Sequence, residues 1–524
     1  KKIKKKKKNN KSFYYYILYV VIASLFIYLR LIYITYRAIK GNELLHKNII
    51  SKIIKAPINL YHDITPRSNI INTLSKDLSI VDFFSSVMFG NVLSFDGIFI
   101  LNFIITSYFQ PICVLFIPLS LFFGNKLLHF YLKASRPLTL TEIKSNQPIL
   151  TLLNEAYDGI STIKSFKVEN LYIQEFFKKL DKFLLCNFFL KGSATWFTLN
   201  LELFSLFFKS FLICLIIIFK DKFSPETIGL LLTYTIQLQE TFMRFLISFS
   251  VFENSMMAFN RCLSYKNIIS ERPYKTELDK EISLWPQNSD IEFQNVSVKY
   301  RKDLNNSLSD ITFKLNSNEK IGVCGRTGSG KSTLTLALIR ILELEKGKII
   351  IDNVDISKIG LEKLRNSISY ISQDVFIFEG TIKENVDPYN INDNNEIEEL
   401  LSKFNQFQNN NRFNLNFKIS ENGNNLSYGE KQIISIIRAL IKKSKITILD
   451  EATSNIDYDI EKKIFDIIYE YKKDNTIITV SHRIKNFENY NKILVIDDGK
   501  LVENDSPDIV LNNKDSLIYK LEKV

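Results

Sequence analysis

Cysteine is scarce and scattered. Five residues (Cys113, Cys186, Cys214, Cys262 and Cys324) are spread through 524 positions with no C-x-x-C pair. Cys113 and Cys214 sit inside apolar runs, so neither a disulfide framework nor a zinc site is indicated, and reduced, buried thiols are the plain reading. The opening run does not read as a signal peptide. The chain opens on Lys, and its Lys/Asn run has neither an apolar core nor a small-residue cleavage site. Surplus charge is nearly absent outside one place: Lys+Arg 68 against Asp+Glu 56 gives +12, but eight lysines fall within residues 1–11 and the other 513 residues carry only about +4. The basic balance is therefore one tail and not a nucleic-acid-binding surface. The length excludes a single small module and suggests roughly two to four domains.

What the chain has in abundance is apolar sequence, and it is unevenly placed. Runs rich in Phe, Ile, Leu and Tyr fill much of the first half, whereas the second half has the mixed character of a soluble α/β domain. A bilayer span needs about 20 largely apolar residues, and candidates lie at 14–36, 83–108, 111–130, 194–219 and 228–252. The run 211–219 is apolar on every face, which favours five membrane spans over a soluble helical core. Arg30, Asp96, Glu202, Lys209, Gln237, Gln239, Glu240 and Arg244 interrupt the runs, and such groups are expected to face a bundle interior or a wet cavity. Two long, polar, Lys-rich and helix-patterned stretches, 37–81 and 131–193, separate the spans, and the remaining turns are short. The positive-inside rule places the long stretches in the cytoplasm. That leaves the lysines of residues 1–11 on the wrong side, a conflict that an additional span upstream would remove.

Residues 270–286 read as a linker, and alternating apolar positions from Ile291 to Tyr300 read as a strand opening a new domain. The apolar strand ending at Cys324 runs into Gly325-Arg326-Thr327-Gly328-Ser329-Gly330-Lys331-Ser332-Thr333, and a helical pattern follows. This is G-x-x-x-x-G-K-[ST] in its required strand–loop–helix setting. Glycines let backbone N–H groups curl around phosphates, the helix N-terminus favours negative charge, Lys331 reaches the β/γ-phosphates and Ser332 can ligate Mg²⁺. A second apolar strand, Ile446-Thr447-Ile448-Leu449, delivers Asp450 and Glu451 at its C-terminal end, where ligands bind in open α/β sheets. Asp450 is placed to hold the Mg²⁺ shell, and Glu451 can act as general base for the attacking water of ATP hydrolysis.

In order and spacing these elements resemble the ATPase domain of ABC transporters: 96 residues separate Lys331 from Ser427, 23 separate Ser427 from Asp450, and 32 separate Asp450 from His482. The resemblance implies further roles. Tyr300 is similar to the aromatic that stacks on adenine, and Gln373 to the glutamine that touches Mg²⁺ and senses the membrane domain. Leu426-Ser427-Tyr428-Gly429-Glu430 occupies the family signature, Ser454-Asn455-Ile456-Asp457 the loop after the base, and His482 the switch histidine at the γ-phosphate. Tyr300-Arg301-Lys302-Asp303-Leu304, Asn385-Val386-Asp387-Pro388 and the linker's Trp285-Pro286 resemble the second half of the C, or multidrug-resistance-associated, subfamily. In the first half, 56–66 and 154–166 resemble its two cytoplasmic coupling segments. On this register the first helix of a six-helix membrane domain lies upstream of Tyr14, and the lysine tail marks where a longer transporter was cut.

Two departures from the family pattern bear on function. The signature is usually Leu-Ser-Gly-Gly-Gln; here Tyr428 replaces the middle Gly and Glu430 the Gln. Because the signature reaches ATP held by a partner domain, the bulky ring is expected to hinder approach, and a carboxylate ~8 Å from phosphate to repel by roughly 2 kcal/mol. The composite site using this signature is then expected to hydrolyse poorly, while the site built on Lys331, Asp450, Glu451 and His482 keeps its chemistry. The second departure concerns cargo. Trp196 is retained where the subfamily lines an organic-anion pathway, but Asn200 stands in an arginine position. Trp196 would read equally as a lipid-interface aromatic.

The expected fold is a helical transmembrane bundle of the ABC exporter type followed by an α/β P-loop ATPase domain with an antiparallel β subdomain and a helical subdomain. Its boundaries are a tail at 1–13, a membrane domain at 14–263, a linker at 264–289 and the ATPase domain at 290–524. The resemblance implies a multi-pass membrane protein with a cytoplasmic ATPase domain that couples ATP and Mg²⁺ to export of a small solute, organic or conjugated anions being the family default. Its partners are the bilayer and a first-half membrane and ATPase domain, with no nucleic acid. An ATP-gated channel or regulatory subunit of the same subfamily is the alternative; a soluble nucleic-acid ATPase is opposed by the apolar spans.

Overall fold

The computed structural model describes residues 2–83, 89–109, 113–218, 224–282, 284–408, 413–453, 456, 458–481, 490–512 and 516–517. The chain divides into two compact units, residues 1–56 with 64–269, and residues 57–63 with 270–524. The short segment 57–63, expected to be part of the membrane domain, thus packs with the second unit.

The first unit is all helical among the described residues. Its elements are α1 (Lys2–Ile54), α2 (Arg67–Asn72), α3 (Leu78–Phe83), α4 (Phe89–Phe109), α5 (Cys113–Asp158), α6 (Ile160–Phe166), α7 (Glu169–Ile218) and α8 (Pro225–Ser264). Each expected span has its described residues mainly on one of five helices, α1, α4, α5, α7 and α8. The 46 residues of α5 and the 50 of α7 rise by about 1.5 Å each and so extend about 70 Å and about 75 Å. Both lengths are more than twice a hydrocarbon core of about 30 Å. The polar stretches are therefore largely continuations of the spanning helices and not loops. Among the described residues, α1 from Phe13 and α7 are long and apolar enough to cross a membrane by length and composition alone. Helix α1 begins at Lys2 and so takes in most of the lysine-rich tail, lysine being a good helix former.

Leu128, Tyr131 and Leu132 of α5, Phe197 and Leu201 of α7, and Phe242 and Leu246 of α8 form the core of this unit, with the Tyr131 and Phe197 rings stacked at 4.7 Å. Further along α8, Arg261 makes a bidentate pair with Asp77 at 2.9 and 2.7 Å. That is the donor geometry that fits a planar guanidinium to a carboxylate. Within this single chain the polar interruptions do not pack into the core. Arg30, Glu202, Gln237, Glu240 and Arg244 are exposed on this chain, and Lys209 is half-buried. Glu240 and Arg244 neutralise each other at 2.7 Å, one helical turn apart. The side chains of Asp96 and Gln239 lie outside the described residues. The core of the unit is filled by aromatic and aliphatic packing, which leaves the charged groups on outer faces.

The second unit is layered. A short helix, α9 (Leu278–Glu281), precedes an antiparallel sheet of order β2-β1-β4-β5, made by β1 (Ile291–Val298), β2 (Leu308–Leu315), β4 (Leu344–Ile351) and β5 (Val354–Asp355). Between them in sequence, β3 (Lys320–Cys324) and α10 (Lys331–Leu338) start a second core, whose sheet has the order β12-β11-β3-β10-β9-β6. Its strands are β6 (Ile368–Ile371), β9 (Ile446–Asp450), β10 (Thr476–Val480), β11 (Lys492–Asp497) and β12 (Lys500–Asp505), parallel except for β12. Strands β9 and β10 are buried at every position, as expected of a parallel sheet covered on both faces. A helical layer holds α11 (Leu361–Ser367), α12 (Ile382–Val386), α13 (Asn394–Gln408), α14 (Tyr428–Ile441), α15 (Tyr458–Tyr471) and α16 (Pro507–Asn512), with the two-residue strands β7 (Gly380–Thr381) and β8 (Lys418–Ile419) pairing inside it.

The expected linker is not a free tether. Glu271 takes a bidentate pair from Arg365 at 2.8 and 2.9 Å, and Trp285 Nε1 donates to the Ile351 carbonyl at 2.9 Å. Burial pushes the Asp279 carboxyl up, but the Thr276 and Gly360 amides it accepts from outweigh this and hold it below the usual carboxylate range. The segment 270–286 has no glycine and supplies side chains that dock it within the second unit.

Candidate nucleotide site

Strand β3 ends at Cys324, and the residues that follow turn tightly into α10. Gly325, Gly328 and Gly330 all have positive φ (150°, 82° and 108°). A Cβ at Gly325 would collide with the Ile496 carbonyl, and one at Gly330 would lie 2.7 Å from the Ser307 carbonyl. Close backbone approach thus demands glycine at both. Lys331 is 5% exposed, and its Nζ donates to the carbonyls of Gly325 and Arg326 at 3.0 Å each. Burial lowers its pKa, opposed by the charge of Glu451. Arg326, Thr327 and Gly328 form the exposed crest, and among the described residues the buried Ser329 hydroxyl has no hydrogen-bond partner. An unsatisfied hydroxyl inside an amide-lined turn is a donor kept for a ligand, which fits phosphate.

Two strands along the sheet, β9 brings Asp450 beside that loop. Its Oδ1 accepts from Ser332 Oγ at 3.1 Å, and Oδ2 accepts from Tyr370 Oη at 3.2 Å and Thr335 Oγ1 at 3.3 Å. Burial pushes Asp450 above the ordinary carboxylate range, while these three hydroxyls pull it back. Glu451 follows with φ 50°. That conformation is uncommon for a non-glycine residue and breaks the strand path at this point. Glu451 Oε2 accepts from Gln373 Nε2 at 2.9 Å. Hydroxyl, carboxylate and amide oxygens from Ser332, Asp450 and Gln373 are the hard donors that suit Mg²⁺, which keeps several waters and needs no all-protein cage.

Tyr300, expected to stack on adenine, has its hydroxyl 3.3 Å from Thr333 Oγ1, at the edge of the same loop. Its carbonyl accepts from Asn59 Nδ2 at 2.6 Å, which is how segment 57–63 joins the second unit. The signature residues lie at the start of α14. Leu426 is buried, Ser427 exposed, and Gly429 half-buried. Tyr428 Oη donates to the Gln373 carbonyl at 3.0 Å, within the same ATPase unit.

Glu430 corrects an expectation. Its carboxylate accepts from the Ser427 amide at 2.6 Å, while Ser427 Oγ accepts from the Glu430 amide at 3.3 Å. The two make a reciprocal capping box on α14. The residue is 8% exposed. Its carboxylate is folded onto a helix N-terminus, where the amides and dipole offset its charge, so it is not aimed outward to repel phosphate.

His482, and Ser454, Asn455 and Asp457 of the loop after the base, lie outside the described residues. In the first unit Trp196 is 42% exposed with its ring 5.4 Å from that of Phe130, and Asn200 Nδ2 donates to the Trp196 carbonyl one turn back at 2.8 Å. The sequence reading missed Thr335 and Tyr370 at Asp450. Thr335 stands three residues after Ser332 on one helix, a spacing that places both on the same face.

A phosphate-binding loop beside an acidic strand end, in a chain whose other unit is built of long apolar helices, defines a membrane-bound nucleotide-binding protein. The comparisons with known proteins carry this further. The family model described as ABC transporter transmembrane region matches residues 2–242, and the one described as ABC transporter matches 308–454. The chain is 34% identical over 504 residues to ABC transporter C family MRP4 of Zea mays, covering 95% of this chain and 33% of that protein. It is 32% identical over 512 residues to bile pigment transporter 1 of Saccharomyces cerevisiae, covering 93% and 32%. A solved bacterial Atm1-family ABC exporter with ATP bound has the same fold, with TM-score 0.85, 18% identity, and coverage of 95% of this chain and 88% of that one. This chain belongs to the ABC transporter family, in its C branch, and is a multi-pass membrane protein with a nucleotide-binding domain. It spans about a third of the length of these curated relatives.

Proposed function

We propose that the chain is one half of an ATP-driven exporter, in which ATP hydrolysis at the Lys331–Glu451 site is coupled to alternating access of the helical unit. The observation that carries this reading is the convergence of Ser332 on Asp450 at 3.1 Å and of Gln373 on Glu451 at 2.9 Å, next to the Lys331 loop. Lys331 exchanges its two loop carbonyls for phosphate oxygens, and the α10 N-terminus and loop amides hold the remaining negative charge. Magnesium bound by Ser332, Asp450 and Gln373 would neutralise charge on the transferring phosphate. Once Gln373 releases it, Glu451 accepts the proton of the attacking water. Tyr300 stacks on the base and His482 contacts the γ-phosphate.

A partner half supplies a second bundle and an intact signature. Its bundle would cover outer faces such as the apolar window of α1, which is 0% buried within this chain, and the exposed polar groups of α7 and α8. The 33% coverage of the first of these relatives is in keeping with a chain that is one part of such an assembly; the Trp285-Pro286 and Asn385-Val386-Asp387-Pro388 motifs favour its second half, and the Lys-rich stretches favour a cytoplasmic ATPase unit. Organic or conjugated anions are the cargo class, with Trp196 near the pathway and Asn200 weakening anion selectivity.

The test is steady-state ATPase activity of the whole protein together with ATP-dependent uptake into inside-out vesicles. Glu451→Gln and Lys331→Met should each lower turnover by about 100-fold or more and abolish uptake. Turnover near wild type in Glu451→Gln would sink the proposal.

A further inference from the structure

A second basic cavity lies on the face of the ATPase unit where segment 270–286 docks, and none of its lining residues belongs to the phosphate loop. It is about 490 Å³, within the usual range for a small-ligand site. Five lysines line it (Lys275, Lys280, Lys363, Lys443 and Lys445) against two acids, Asp279 and Glu362. Both acids are already engaged. Asp279 accepts from the backbone amides of Thr276 and Gly360 at 2.7 and 3.0 Å, and Glu362 pairs with Lys275 at 3.4 Å. Lys363 is engaged too, donating to the carbonyls of Asp279 and Ile282. Among the described residues Lys280, Lys443 and Lys445 make no ion pair, and all three are exposed around one concavity. Three like charges lining one concave, partly apolar wall repel one another and focus a field that favours a multivalent anion. Lysine suits phosphate as a point charge in such a setting. One wall is the Trp285–Pro286 pair, with the indole held in place by its bond to the Ile351 carbonyl at 2.9 Å. Trp285 thus lines the same cavity as the three lysines with its ring nitrogen anchored.

We propose that this cavity is a second anion site, separate from the ATP site, that binds a small compound carrying two or more phosphate groups. Two sources share this chemistry, a soluble polyphosphate chain and a phosphorylated inositol headgroup. The chain has two tryptophans, so Trp196→Phe leaves Trp285 as a single reporter within the cavity wall. The experiment titrates the Trp196→Phe chain in detergent micelles with inorganic tripolyphosphate, and separately with inositol trisphosphate, following indole emission. A saturable change with either probe is expected, and the stronger probe assigns the source. Affinity should fall at least tenfold in the triple variant Lys280→Gln/Lys443→Gln/Lys445→Gln. These side chains are exposed, so melting should stay as in the parent, and Lys280→Glu alone serves as a milder second variant. Lys331→Ala should leave the titration unchanged. The proposal is overturned if neither probe gives a saturable change, if the triple variant titrates like its parent, or if Lys331→Ala abolishes the signal, which would assign it to the ATP site.

Discussion

Gln432 is fully buried on α14, and among the described residues neither its Oε1 nor its Nε2 meets a hydrogen-bond partner. Its neighbours along that helix are aliphatic, Ile433, Ile436 and Ile437 among them. Two amide atoms stripped of water without replacement cost more than the side chain's apolar stem gains. Gln432→Met, close in volume, should raise stability by about 1–2 kcal/mol, read as an upward shift of the melting temperature. Lys472 makes a second prediction. Burial, with the nearby charge of Lys442, pulls its pKa down to about 8, and its Nζ donates to the Lys442 carbonyl. The folded chain therefore binds fewer protons than the unfolded chain between about pH 8 and the ordinary lysine value of 10.5. Stability rises with pH across that window, and the penalty is fully present below it. Lys472→Met should flatten this rise in melting temperature between pH 8 and 10. At this scale sequence reading singled out Lys331, Ser332, Asp450 and Glu451, of which the structure brings Ser332 onto Asp450, because a strand-end motif carries its own geometry. It missed Tyr370, since a tyrosine on another strand becomes an Asp450 partner only through sheet order.

The α14 N-terminus shows how an element reassigns a residue. Ser427 and Glu430 stand three apart, the spacing of a capping box, and the carboxylate therefore serves the helix end before it can act on a distant phosphate. Glu430→Gln keeps an acceptor for the Ser427 amide and should change steady-state turnover by less than about twofold. Ser427→Ala removes the side-chain cap and should cost about 1 kcal/mol in thermal unfolding. The long helices were legible only in part. Apolar runs located α1, α4, α5, α7 and α8, but the polar continuations of α5 to Asp158 and of α7 from Glu169 share the same helical path. Hydropathy marks where a helix meets lipid, not where its backbone ends.

Across the whole molecule the division into a helical unit and an ATPase unit follows the compositional split, with the boundary at residues 269 and 270. The segment after it is fastened by the Glu271–Arg365 pair, in which both side chains are mostly buried, 11% and 28% exposed. Glu271→Ala would strand a partly buried guanidinium, and a loss of about 2 kcal/mol is expected. Faster cleavage within 270–286 under limited proteolysis, with a lower melting temperature, is the expected readout; unchanged cleavage would show that the pair does not hold the segment.

By itself the sequence determined the two-part architecture and the chemistry of the nucleotide loop, because apolar run length answers to the bilayer and glycine placement answers to a phosphate-sized turn. It also determined that residues 450 and 451 would stand at a strand end. Only the tertiary structure decided which groups those carboxylates meet, that Tyr428 reaches the Gln373 carbonyl, and that 57–63 belongs with the second unit. Most of these depend on which strand neighbours which and on contacts between distant positions, and no local pattern of residues encodes that neighbourhood.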